Sequence, residues 1–232
     1  MTPRHLGIVA VSAEGAALCY RTIAAEGAAI FGPHAHPETS MHTTPLAEYV
    51  RRIDEDRWEE VGEMLLASGE RLRRAGAELL LCPDNTVHQG LDLVRGRSAL
   101  PWLHIAEEVA AVAAARGFRN LLVLGTRALM EGPVYGGKLG ARGISHEIPD
   151  AADRARVNEV IFEELVYGRI EDASRREFAR IIEAGRARGC DAAVLGCTEI
   201  PLLVDDGCSP LPTLDSTRIL ARAALRAAAG RA

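Results

Sequence analysis

A chain of 232 residues with a formal charge of −5 and 25% charged residues is long enough for one large globular domain or two small ones. Lys and Arg are dispersed along the chain, which excludes nucleic acid and membrane surfaces as expected partners. No segment reaches about 18 apolar residues, and Met1-Thr2-Pro3-Arg4-His5 has no leader pattern, so the expected location is the cytoplasm. The elements then follow as strand–helix alternation. Leu6 to Val11 reads as a strand and Ala13 to Ala25 as a helix. Ala28 to Phe31 reads as a second strand, followed by a loop from Gly32 to Thr44. An amphipathic helix, Trp58 to Ala75, leads to a strand, Glu78 to Cys82, and Leu91 to Ala99 continues as a helix. From Trp102 the pattern restarts with a short strand, a helix from Ala106 to Arg116 and a strand from Asn120 to Leu124. Helices follow at Asp153 to Tyr167 and Ser174 to Gly189, then a strand at Ala192 to Leu195 and a last helix from Leu214 to Arg231.

Strands alternating with helices of this length predict an α/β fold with parallel sheets and right-handed crossovers. The repeated strand–turn–helix ending predicts an internal duplication with a boundary near Ala99 to Pro101. On this division residues 1–99 with 212–232 form one domain and 100–211 the other, each a three-layer α/β unit.

Two apolar runs break into polar turns: Leu79-Leu80-Leu81 into Cys82-Pro83-Asp84-Asn85-Thr86-Val87-His88, and Ala192-Ala193-Val194-Leu195 into Gly196-Cys197-Thr198-Glu199. Such turns lie at the C-terminal edge of a parallel sheet, where open α/β folds bind ligands. Asn85, Thr86, Thr126 and Thr198, with backbone N–H groups, suit a neutral cradle for a carboxylate; each also suits ordinary turn and cap chemistry. Gly196 permits a sharp turn and Thr198 a helix cap, which places the Cys197 sulfur near free N–H groups and favours a thiolate. Asp84 is a candidate general base or acid, with a turn-capping role as its ordinary alternative, and His88 a candidate orienting group. Cys19, Cys82, Cys190, Cys197 and Cys208 form no CxxC pair and suit neither zinc nor iron–sulfur ligation. His34, His36 and His42 lie in an irregular loop without a completing ligand, so no metal is expected. Phosphate-loop and dinucleotide fingerprints are absent, which leaves no nucleotide cofactor.

Five segments stand together along the chain: Leu6-Gly7-Ile8-Val9 with Ala16-Ala17-Leu18-Cys19-Tyr20, Asn85-Thr86-Val87-His88, Leu124-Gly125-Thr126, Ile161-Phe162-Glu163-Glu164-Leu165 and Gly196-Cys197-Thr198-Glu199. On these segments the chain resembles the aspartate/glutamate racemases, cofactor-independent amino-acid racemases. The resemblance covers nearly its whole length. It implies two pseudo-symmetric α/β domains with the active site in the cleft between them, usually in a homodimer, and no pyridoxal phosphate. It also implies two residues, normally cysteines, exchanging the α-proton from opposite faces. By position, Cys197 matches the second catalytic cysteine, which serves the L enantiomer, and Asn85, Thr86, Thr126 and Thr198 match residues that hold the α-carboxylate. Where the family usually reads Pro-Cys-Asn-Thr, this chain reads Pro83-Asp84-Asn85-Thr86. Cys82 lies two positions earlier, roughly 7 Å back along the strand, and does not replace the missing thiol. Ala10-Val11-Ser12 stands where members often carry Gly-Gly before Met or Ser, which makes Ser12 a further binding candidate. Glu159 falls in the helix where members that take acidic substrates often present Lys or Arg, so the resemblance implies repulsion of aspartate and glutamate.

The expected activity is a cofactor-independent amino-acid racemase or epimerase with Cys197 and Asp84 as its proton-transfer pair. Two alternatives share the scaffold: an isomerase, decarboxylase or lyase of a small carboxylic acid, and a carboxylate-binding protein without activity.

Overall fold

The computed structural model describes residues 3–230. The chain divides into two compact units, Met1–Glu108 with Thr217–Ala232, and Val109–Ser216. The first unit begins β1 (Leu6–Ala10), α1 (Ala13–Phe31), β2 (Thr39–Thr43), α2 (Leu46–Asp54) and α3 (Trp58–Arg74). It continues β3 (Leu79–Leu81), α4 (His88–Val94), a 3-10 turn Arg95–Arg97, β4 (Trp102–Leu103) and the start of α5 (Ile105–Ala115). The second unit holds β5 (Asn120–Leu124), α6 (Arg127–Glu131), α7 (Gly136–Gly140), β6 (Ser145–Glu147) and α8 (Ala151–Glu163). After a 3-10 turn Leu165–Tyr167 come α9 (Asp172–Ala187), β7 (Ala192–Leu195), α10 (Ile200–Leu203) and β8 (Thr213–Asp215); α11 (Ser216–Ala228) then returns to the first unit.

Both sheets are parallel, and their strand orders, β2-β1-β3-β4 and β6-β5-β7-β8, are the same topology twice. In the first unit the two-residue period of a strand sorts the core into two layers. Leu6, Ile8 and Ala10 of β1, with Leu79 and Leu81 of β3, pack against Cys19 and Ile23 of α1 and Leu220, Ala221 and Leu225 of α11. Val9 and Val11, with Leu80 and Cys82, pack on the opposite face against Tyr49 of α2, Val61, Leu65 and Leu72 of α3 and Leu91 of α4. A strand buried on both faces reads as a continuous apolar run, which is why β1 and β3 stand out in the sequence. In the second unit Leu122, Leu124, Ala193 and Leu195 pack on Val157, Val160 and Ile161 of α8 and on Phe178, Ile181 and Ile182 of α9.

Several elements differ from the sequence reading. Ala28–Phe31 is the last turn of α1, closed by Gly32 at φ 100° with its N–H on the Ala28 carbonyl. The second strand lies instead at Thr39–Thr43, inside the segment read as a loop. The first unit extends past Ala99–Pro101, because Trp102 and Leu103 pair with Leu80 and Leu81. The helix placed at Leu91 to Ala99 starts at His88 and stops at Val94. The helix placed at Asp153 to Tyr167 ends at Glu163, before Gly168 adopts φ 71°. Leu214 belongs to β8, and α11 ends at Ala228; Arg231, read as the end of that helix, lies outside the described residues.

Helix α4 is held against α3 by two glycines. A Cβ on Gly90 would meet the Trp58 carbonyl oxygen at 2.6 Å and the Gly62 nitrogen at 2.8 Å, both backbone atoms that do not swing aside. Gly90→Ala is therefore expected to lower stability by about 2 to 3 kcal/mol, read as a fall in the denaturant midpoint at unchanged slope.

Candidate active site

In each sheet the topology reverses between the two central strands. In the first unit β1 connects to β2 on one side while β3 continues to β4 on the other, so the ends of β1 and β3 flank a switch point. Ser12 follows β1 there, and Cys82 to Val87 follow β3. In the second unit Thr126 follows β5, and Gly196 to Glu199 follow β7. The predicted Ser12, Asp84, Asn85 and Thr86 thus come to one switch point, and Thr126, Cys197 and Thr198 to the other. Ser12 and Thr126 also match in detail: each hydroxyl caps the next helix, accepting from Gly15 N–H at 3.1 Å and from Leu129 N–H at 3.2 Å. A hydroxyl that accepts in a cap still carries its own proton to donate.

At the second turn, Gly196 is required by close approach. A Cβ there would lie 2.6 Å from the Leu124 carbonyl oxygen and 2.6 Å from Leu129 Cδ2. Gly196 is not among the residues with positive φ, so close approach rather than left-handed backbone is what calls for glycine there. Thr198, expected as a helix cap, is not one; α10 starts after Glu199 and has no side-chain cap. Instead the Thr198 hydroxyl donates to Glu199 Oε2 at 2.7 Å, and the Cys197 thiol donates to the same oxygen at 2.9 Å. Thr198 and Glu199 are each 4% exposed, while Cys197 is half-buried. The thiol therefore has a carboxylate as proton acceptor, a partner the sequence reading did not assign to it. Glu199 is a polar group at a strand end whose role the sequence leaves open; its adjacency to Cys197 is the one signal of the contact in the sequence.

At the first turn, Asp84 is half-buried and accepts from Val87 N–H at 3.3 Å, the capping role weighed from the sequence. Asn85 is 2% exposed and Thr86 half-buried. Cys82 is fully buried in the core layer beneath, and burial, followed by the Asp84 charge, pushes its thiol pKa well up. Tyr49, from the same layer, is raised by burial and then by the Cys82 and Asp84 charges. His88 is fully buried, with Nε2 3.1 Å from the Cys82 carbonyl oxygen, and its ring meets that of His104 edge to face at 4.3 Å between centroids. His104 Nε2 lies 3.3 Å from Asp92 Oδ1.

Burial first, and then His104, hold the His88 pKa well below the usual 6.5. A histidine whose folded value is depressed stabilises the fold above its unfolded value and loses that contribution as pH falls through it. Denaturant unfolding at a series of pH values should accordingly show stability declining below about pH 6.5.

The remaining candidates lie elsewhere. Glu159 is exposed and pairs with Arg156 at 3.1 Å, while Arg156 also binds Glu164 at 3.3 Å and Glu177 at 2.8 Å. Its neighbour Asn158, about 100° further round the helix, accepts from Arg127 N–H at 2.8 Å and so reaches the turn after β5. Nothing in the sequence marks Asn158, because its partner is remote along the chain. The three loop histidines diverge: His36 bonds the Pro37 carbonyl, His42 bonds Ser68 at 2.6 Å and Arg71 at 2.8 Å, and His34 takes φ 63°. Among the described residues no group of three or more His, Cys, Asp or Glu side chains is placed to hold a metal ion. No described helix is long and apolar enough to cross a membrane.

Comparison with known proteins agrees with this architecture. The family described as Asp/Glu/Hydantoin racemase matches residues 8–224. A crystal structure from Yersinia pestis, described as an Asp/Glu racemase on assignment, is 32% identical and superposes with a TM-score of 0.88 over 97% of this chain and 99% of that one. An aspartate racemase homologue from Pyrococcus horikoshii OT3 is 27% identical, with a TM-score of 0.84 over 97% and 99% of the two chains. The broad specificity amino-acid racemase RacX of Bacillus subtilis is 22% identical over 192 residues, 81% of this chain and 80% of that protein. With a family match spanning both sheets and both polar turns, the chain belongs to the Asp/Glu/Hydantoin racemase family.

Proposed function

We propose that the protein is a cofactor-independent amino-acid racemase in which Cys197 exchanges the α-proton on the L face and Asp84 on the opposite face. The observation that carries this reading is the Cys197 thiol at a sheet switch point, hydrogen-bonded at 2.9 Å to the buried Glu199 carboxylate. A thiol becomes a base only when its proton has somewhere to go, and Glu199 Oε2 is positioned to receive it. For an L substrate, Glu199 holds the thiol proton, the Cys197 thiolate removes the α-proton, and protonated Asp84 donates a proton to the other face. For a D substrate, ionised Asp84 removes the proton and the Cys197 thiol donates. Asn85, Thr86 and Thr126, with Ser12, supply neutral side-chain donors for the α-carboxylate; the Thr198 hydroxyl proton goes to Glu199, so Thr198 contributes through its backbone N–H. A thiol and a carboxyl are unequal acids, so kcat and KM should differ between the two directions. Equilibrium between enantiomers still fixes the ratio of the two kcat/KM values at unity.

Arg156 already neutralises Glu159, which weakens the repulsion argument against acidic substrates. Aspartate and glutamate therefore belong in the substrate panel. The test is incubation of the purified chain with each L- and D-amino acid, no cofactor added, followed by chiral chromatography. Appearance of the opposite enantiomer supports the reading, and its absence across the panel defeats it. Within an active pair, Glu199→Gln keeps the side-chain shape but cannot take the thiol proton. It should lower kcat for the L substrate by about 10²-fold with little change in KM. An unaltered kcat would assign Glu199 a purely structural part.

A further inference from the structure

The two polar turns differ in length. Six residues separate β3 from α4, and four separate β7 from α10. Both close with the same backbone bond, from Ile200 N–H to the Cys197 carbonyl at 3.1 Å and from His88 N–H to the Asn85 carbonyl at 3.2 Å. The longer turn has a second clasp, from the His88 ring back to the Cys82 carbonyl at 3.1 Å. One residue therefore ties down the turn at its beginning through its side chain and near its end through its backbone. The turn after β7, with Ile200 in the same place, has no such ring.

We infer that His88 is a positioning residue: its neutral ring, protonated on Nε2, clasps the longer turn and holds Asp84 and Asn85 at the switch point. A carbonyl only accepts, so the ring must donate from Nε2, which leaves Nδ1 as a bare base. Nδ1 is buried without a hydrogen-bond partner. The charged or titratable groups around His88 are His104, Asp92 and Arg95, with Cys82 bearing the clasped carbonyl. A second proton on the ring would put a charge into a fully buried site, and the turn would have to open to solvate it. The consequence for Asp84 rests on the proposed racemisation; the ring's protonation state does not.

The experiment pairs two substitutions with NMR of the whole chain. Long-range proton–nitrogen correlation spectra of the labelled protein at pH 7 should show His88 neutral with its proton on Nε2. His88→Leu should lower racemisation about 10²-fold, since small misplacement of a reacting group costs that much, while α-proton exchange of the L substrate through Cys197 persists. His88→Gln, whose amide donates from a similar position, should restore racemisation to within about 5-fold of wild type. A ring carrying its proton on Nδ1, or charged, would overturn the inference. Equal loss of racemisation and L exchange in His88→Leu, unrelieved in His88→Gln, would also overturn it. Should the wild type act on no amino acid, the proposed function fails, and the NMR result still decides whether the clasp exists.

Discussion

Replacing Cys197 by alanine is expected to abolish exchange of the α-proton in the L enantiomer and to reduce racemisation by at least about 10³-fold. The expectation follows from the site itself. Cys197 is the only half-buried thiol at a strand end in the second unit, and its proton is directed at Glu199. Cys190 is buried and its thiol is pushed up to about 11, chiefly by burial and then by Glu147, so it does not substitute as a base. Exchange of the D enantiomer should survive, because the proposed mechanism gives that step to Asp84. Mass spectrometry of both enantiomers recovered from deuterated water reads the two steps separately. Surviving L exchange in Cys197→Ala would remove Cys197 from the proposed role.

The mirror-image result is expected for Asp84→Ala: racemisation falls by a similar factor, D exchange disappears, and L exchange continues. Asp84 is the acidic side chain of the turn after β3, and Cys82, two residues earlier, is sealed in the core with its thiol pKa raised. No cysteine of that turn can take over the proton transfer. Asp84 also caps Val87 N–H, so part of the loss in Asp84→Ala would come from a loosened turn. Asp84→Asn separates the two effects, since the amide oxygen still accepts from Val87 while the side chain no longer titrates. Asp84→Asn should fold as stably as wild type and remain unable to racemise. An active Asp84→Asn would move the second proton-transfer role elsewhere.

The central strands and both reactive turns were legible in the sequence because burial on two faces writes itself as an unbroken apolar run ending in polar residues. The edge strands β2 and β6 were not. Thr39-Ser40-Met41-His42-Thr43 and Ser145-His146-Glu147 are only partly buried, carry polar residues on both faces, and owe their conformation to pairing with β1 and β5. Ala28–Phe31 failed in the opposite sense. Four apolar residues fit a strand or the end of a helix equally, and only the Gly32 cap decides. The two-residue β4 was assigned to the second half because the sequence shows Pro101 as a break, whereas its pairing with β3 is a long-range fact. At the site, residue types were readable and partners were not. Cys197 and Asp84 were singled out by position, but the carboxylate beneath the thiol, the Asn158 support of Arg127 and the His88 clasp are contacts that only folding creates.

The most direct test of two opposed proton-transfer groups is the early time course in deuterated water, starting from one pure enantiomer of an active amino acid. With Cys197 and Asp84 on opposite faces, newly formed product carries deuterium at the α-carbon while recovered substrate still carries protium. Deuterium appearing in substrate and product at equal rates from the outset would mean a single group serving both faces, and would contradict the account.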